Sequence, residues 1–186
     1  MPETAMSDRP DTPNRDTASL PEGWAGCRLP EVCTLNPPKP RTGELADDLP
    51  VTFVPMPAVD ADRGGITAPQ TRRFGEVRKG FTAFRNGDVI VAKITPCMEN
   101  GKAAVARDLE NAYGFESTEF HVLRPTAAIL AEYVYHFVRQ KSFRRDAAEN
   151  MTGSVGQKRV PVDYFQTVEI PLPPLAEQER IVAKVE

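Results

Sequence analysis

The chain has 186 residues, with 23 Lys and Arg against 26 Asp and Glu, a net charge of −3 and 40% hydrophobic residues. That is enough apolar material for one packed domain, and no apolar run approaches the ~18–20 residues that a bilayer-spanning helix needs. Three cysteines (Cys27, Cys33, Cys97) without CxxC spacing exclude a disulfide scaffold and a cysteine-based zinc site, and point to a reducing cytoplasm.

Residues 1–19 are rich in Pro, Asp, Thr and Arg and lack the apolar segment of a secretory signal, so a disordered leader is expected there. "LPEGWAGCRLPEVC" (20–33) opens the fold as a strand or a short strand–helix unit. "TLNPPKPRTGELADDLP" (34–50) is Pro-rich and irregular, and "VTFVPMPAVD" (51–60) is extended, with prolines marking an edge or a bend. "RGGITAPQTRRFGEVRKG" (63–80) reads as a basic loop. "FTAFRNGDVIVAKIT" (81–95) holds an Asn86-Gly87 turn and then the strongest strand signal, Asp88 to Ile94. A loop "PCMENG" and a returning strand "KAAVARD" (102–108) complete a hairpin, and "TEFHVLRP" (118–125) alternates as another strand.

The period then becomes helical. Ile129, Leu130, Tyr133, Val134, Phe137 and Val138 form one apolar stripe over 127–140, and "SFRRDAAEN" continues as a second short helix. "MTGSVGQKRVP" (151–161) is a Gly/Ser/basic loop. A short strand around Thr167–Ile170 closes at prolines, and a final helix starts near Leu175. Its stripe of Ile181, Val182 and Val185 needs a partner surface, because a helix of about 12 residues is marginal alone. Many short strands with two or three helices and no βαβ alternation give an α+β class, with a mostly antiparallel, curled sheet.

The modest net charge hides a pattern. Residues 63–107 carry nine basic and three acidic groups, and residues 139–159 carry six and two, with acidic segments between them. Two basic segments that converge in space would make a positive face that steers a polyanion. Catalytic patterns are missing: no GxSxG, HExxH or GxxxxGK[ST] is present. "NPPK" (Asn36–Lys39) resembles the Asn-Pro-Pro-aromatic motif of amino-methyltransferases, but Lys39 stands where the aromatic would stack on a flipped base. It is read as a Pro-rich loop. His121 and His136, the only histidines, sit among apolar residues and are assigned to packing.

Two polar sets remain. The hairpin tip holds Lys93, Thr95, Glu99, Asn100 and Lys102. Asn offers a donor–acceptor pair suited to adenine, Lys suits guanine or phosphate, and Glu accepts from cytosine. The later loop holds Ser154, Gln157, Lys158 and Arg159 beside glycines that let backbone N–H groups approach a phosphate. Arg72 and Arg73 are weaker candidates for phosphate contact.

In this order, "LPEGWAGCRLPEVC", "GDVIVAKITPCMENGKAAVA", "STEFHVLRP" with "AEYVYHFV", and "TGSVGQKRVPVDYFQTVEIPLPPLAEQERIV" resemble the specificity subunit of type I restriction–modification systems over residues 20–186. The last stretch is the most specific. The resemblance implies a DNA target recognition domain at 20–174, reading one half of a bipartite double-stranded target, and the start of a spacer helix at 175–186. It implies no catalysis in this chain. Methyltransferase subunits would bind S-adenosylmethionine, restriction and motor subunits would use ATP, and the chain itself would bind no cofactor. The two polar sets carry over as DNA-facing positions. A full-length member has two such domains and long helices, so the chain is expected to be a fragment or a half-subunit.

Overall fold

The structure is a computed structural model that describes residues 20–41 and 43–186; the expected leader, 1–19, lies outside them. Strand β1 (Ala25–Arg28) pairs antiparallel with the much later β10 (Glu169–Leu172), so the opening and closing segments lie side by side. One four-stranded sheet has the order β2 (Cys33–Leu35), β9 (Phe120–Pro125), β6 (Val89–Ala92), β7 (Ala103–Val105), antiparallel throughout. The other has the order β4 (Gln70–Arg73), β3 (Pro50–Val54), β8 (Tyr113–Glu116), β5 (Thr82–Arg85), and its β3–β8 pair is parallel. The helices are α1 (Leu29–Val32), α2 (Phe74–Val77), α3 (Ala131–Arg139), α4 (Lys141–Glu149), α5 (Val162–Thr167) and α6 (Leu175–Val185).

The α+β class holds, but the single curled sheet does not: the described strands form three sheets. The reason lies in β6. All four of its residues are buried, so it does not alternate in and out. Val89 and Val91 join a core with Leu29, Leu123, Val134 and Phe165, between this sheet and the helices. Ile90 and Ala92 join a second core with Val54, Phe84 and Val122, between the two sheets. A third core, Val51, Phe53, Phe74, Val77 and Phe115, lies under α2 on the second sheet. A strand covered on both faces reads as a continuous apolar run, and it separates layers rather than curling one.

The stretch 63–80, read as a basic loop, contains β4 and α2, which puts Phe74 and Val77 into the third core. Two further elements differ from expectation for local reasons. β8 contains Gly114, which weakens its strand signal; the glycine is required because a Cβ there would lie 2.2 Å from the Phe84 ring. The segment before β10 is helical as α5, which sends Tyr164 and Phe165 into the first core.

Helix α6 docks through a buried amide and two apolar side chains. Gln178 is fully buried. Its Oε1 accepts from the Leu130 N–H (2.8 Å), and its Nε2 donates to the carbonyls of Ala128 (3.1 Å) and Pro173 (2.8 Å). Ile181 and Val182 are half-buried against the first core, whereas Val185 is 60% exposed. The domain's own surface therefore covers two members of the expected stripe and leaves the third open.

Candidate nucleic-acid interface

The connection between β6 and β7 is a compact coil, not a loose tip. Met98 is buried, and the backbone folds on itself through Met98 N–H to Ile94 (3.0 Å), Asn100 N–H to Pro96 (3.0 Å) and Lys102 N–H to Cys97 (3.0 Å). The Thr95 hydroxyl donates to Glu99 Oε1 at 2.5 Å. Asn100 is exposed at the end of this coil.

The later loop is closed at its base, where Thr152 and Arg159 exchange both backbone hydrogen bonds (2.9 and 2.8 Å). Residues 152–158 are all exposed. The loop lies against the hairpin: Thr95 N–H donates to the Lys158 carbonyl (3.0 Å) and Val160 N–H to the Lys93 carbonyl (2.9 Å). Two polar sets almost 60 positions apart in sequence are thus joined into one backbone-bonded platform.

The predicted residues fare differently on that platform. Asn100, Ser154, Gln157 and Lys158 are exposed. Thr95 and Glu99 are half-buried and bonded to each other. Arg159 is held by both carboxylate oxygens of Glu119 (2.8 and 2.6 Å), which fixes the loop to the start of β9 and holds the Glu119 carboxyl below its ordinary range. Lys102 Nζ donates to the Met56 carbonyl (3.0 Å), tying the hairpin to the segment after β3. Arg72 and Arg73 belong to β4, at the edge of the second sheet; the Arg72 guanidinium lies 3.8 Å from the centre of the Phe53 ring.

Lys93 sits among ionisable groups, with Glu116, Glu119 and His121 all within its electrostatic reach. Glu116 is fully buried, and neither of its carboxyl oxygens has a hydrogen-bond partner. Burial pushes its carboxyl well above the ordinary range, against the pull of Lys93. Folding therefore takes up a proton between the ordinary carboxylate pKa and the higher folded value, and this group's contribution to stability falls as pH rises through that window. Urea titrations between about pH 5 and about pH 8 are expected to show the wild type losing stability relative to Glu116→Gln, with a slope of at most about 1.4 kcal/mol per pH unit. Parallel curves would place the Glu116 carboxylate in an ionised, compensated state.

His121 and Asn36 of the "NPPK" stretch are held within the fold. His121 Nε2 donates to the Val160 carbonyl (2.8 Å), and the ring packs 4.9 Å from Phe165. Its Nδ1 meets Asn36 Nδ2 (3.1 Å), and Asn36 Oδ1 accepts from the Val122 N–H (2.9 Å). The Asn36 amide thus bonds within the fold, at a left-handed φ of 45° that Asn tolerates. Among the described residues, no group of three or more His, Cys, Asp or Glu is placed to hold a metal ion, and no helix is long and apolar enough to cross a membrane.

The cations of α4 were not singled out in the sequence. Lys141, Arg144 and Arg145 stand at i, i+3 and i+4, a spacing that puts them on one helix face. Arg144 Nη1 donates to the Glu99 carbonyl (2.7 Å), so this face abuts the hairpin coil.

Residues 21–186 match the family described as the type I restriction modification DNA specificity domain. The chain belongs to that family. Over 185 residues it is 37% identical to the EcoAI specificity subunit of Escherichia coli, a match that takes 99% of this chain and 30% of that protein. It is 41% identical over 164 residues to the E. coli EcoEI specificity subunit, covering 88% of this chain and 27% of the relative. The chain thus spans under a third of the length of these curated relatives. The crystal structure of the HsdS subunit from Thermoanaerobacter tengcongensis superposes with a TM-score of 0.71 at 29% identity, over 89% of this chain and 42% of that one. A specificity subunit from M. genitalium shares the fold at a TM-score of 0.53 and 14% identity. Membership in the specificity-domain family agrees with the resemblance drawn from the hairpin and the "PLPPLAEQ" stretch.

Proposed function

We propose that this chain is a non-catalytic DNA target recognition domain, residues 20–174, and that α6 begins the spacer helix of a type I specificity subunit. It reads one half of a bipartite double-stranded target and directs methyltransferase subunits, and through them restriction subunits, to that sequence. The observation that carries this reading is the platform: the hairpin coil and the 152–159 loop are bonded through Thr95–Lys158 and Lys93–Val160, and together present Asn100, Ser154, Gln157 and Lys158 to solvent. Polar side chains on rigid backbone suit base-edge readout, because a fixed geometry discriminates between donor and acceptor patterns. S-adenosylmethionine and ATP belong to the partner subunits in this reading, and the setting is cytoplasmic, in keeping with three unpaired cysteines.

Asn100→Ala and Gln157→Ala are each expected to cost about 1–3 kcal/mol of sequence-specific binding, about 5- to 150-fold, where the residue contacts a base. The measurement is protection of host DNA by methylation, alongside assembly with the methyltransferase subunits. Lost methylation with intact assembly supports readout. Unchanged methylation in the double variant would reduce the platform to a protein-docking surface.

A further inference from the structure

We propose that Lys141 and Arg145 of α4 form a clamp for the DNA sugar–phosphate backbone beside the reading platform. This inference rests on the DNA-binding reading above and extends it to residues outside both polar sets.

A cleft of about 330 Å³ is lined by Glu99, Lys141, Arg144, Arg145 and Ala148, so one of its walls is the hairpin coil and the other is α4. The walls are fixed relative to each other. Arg144 donates to the Glu99 carbonyl at 2.7 Å, and its guanidinium lies so close over Gly101 that a Cβ there would be 3.2 Å from it. The cleft thus adjoins the coil that ends in Asn100, and a duplex read there would bring a strand toward this face.

Glu149 follows Arg145 at i+4 and Glu99 lines the opposite wall, yet neither acid closes an ion pair with this face. Lys141 and Arg145 are exposed, and among the described residues neither has an acidic partner at ion-pair distance. They stand at i, i+4, where like charges repel and weaken the helix. The first turn of α4 carries no acid. Asp146, the nearest acid in sequence, accepts from the Tyr164 hydroxyl at 2.9 Å. By contrast, Arg107, Arg124, Arg159 and Arg180 are each paired with a carboxylate. Unpaired, self-repelling cations beside a polar reading surface suit an external polyanion. Lys and Arg at such positions fix register on the duplex without reading sequence.

The test uses the whole chain and a fluorescein-labelled 20-base-pair duplex of mixed sequence, titrated at about 50 to 200 mM salt. Lys141→Gln with Arg145→Gln is expected to weaken binding and to lower the slope of log affinity against log salt by about 1.8, or about 0.9 for each phosphate contact removed. Because both side chains are exposed, the thermal midpoint should hold. The same loss of two charges at Lys39→Gln with Lys184→Gln, both exposed and outside the two basic segments, is expected to leave the slope near that of the wild type. If the wild type binds with a steep slope and the α4 pair does not change it, or if the control pair changes it equally, the clamp is wrong and the platform stands. If the wild type shows no salt-dependent binding, the DNA reading fails and the clamp with it.

Discussion

Replacing Gln178 by Ala is expected to lower folding stability by about 3 kcal/mol and to release α6 before the rest of the domain opens. The side-chain amide makes three hydrogen bonds to main-chain groups of Leu130, Ala128 and Pro173 in a fully buried setting. Each such bond contributes about 1 kcal/mol net, and the groups left behind are stranded without water. The Leu130 N–H lies at the N-terminal end of α3, so the loss affects two helices at once. Gln178→Glu should do no better, since a carboxylate oxygen would then face the Ala128 and Pro173 carbonyls. Urea denaturation gives the size of the loss, and hydrogen exchange gives its place. Fast exchange confined to Leu130 and to 175–185 is the expected pattern. An even loss of protection across β6 and β9 would show that Gln178 supports the core rather than the helix docking. In the proposed subunit this amide sets the direction in which the spacer leaves the recognition domain.

Much of this was legible in the chain, for reasons that can be named. The β6–β7 hairpin was visible because Asn86-Gly87 marks a turn and "VIVA" is a dense β-branched run. Helices α3 and α6 were visible through their apolar period. The contact between hairpin and loop was not, because the pairing of Ile94 with Arg159 joins distant positions and leaves no local pattern. Layering was also hidden: "VIVA" announces burial but not that Val89 and Ile90 enter different cores. Among the site residues, the sequence supplied residue types but not partners. Lys102 and Arg159 look like any other exposed cations in a basic segment, yet one bonds the Met56 carbonyl and the other bonds Glu119. The α4 cations had a usable signal in their i, i+3, i+4 spacing, but its meaning depended on which loop the helix face meets.

Arg124→Ala is expected to cost about 3–5 kcal/mol, and more than Asp88→Ala, although the two residues form one ion pair. Arg124 Nε and Nη2 reach Asp88 Oδ1 and Oδ2 at 2.8 Å each. The side chains differ in burial: Asp88 is 2% exposed and Arg124 32%. Removing Arg124 leaves a carboxylate in the interior with, among the described residues, the Arg85 N–H (2.7 Å) to compensate it. Removing Asp88 leaves a guanidinium that water can already reach, so part of the loss is recovered by hydration. A double-mutant cycle by denaturant titration separates the pair's coupling from the cost of the stranded charge. Equal losses in the two single variants would mean that the interior around Asp88 admits water. The site matters beyond stability because Asp88 precedes β6, closes the Asn86-Gly87 turn through Arg85, and grips β9 through Arg124. It ties the second sheet to the first at one end of the strand whose other end carries Lys93 and the hairpin–loop platform. Destabilised at this joint, the platform should lose sequence discrimination while keeping the salt-dependent attraction of Lys158, because register depends on rigid backbone and charge does not.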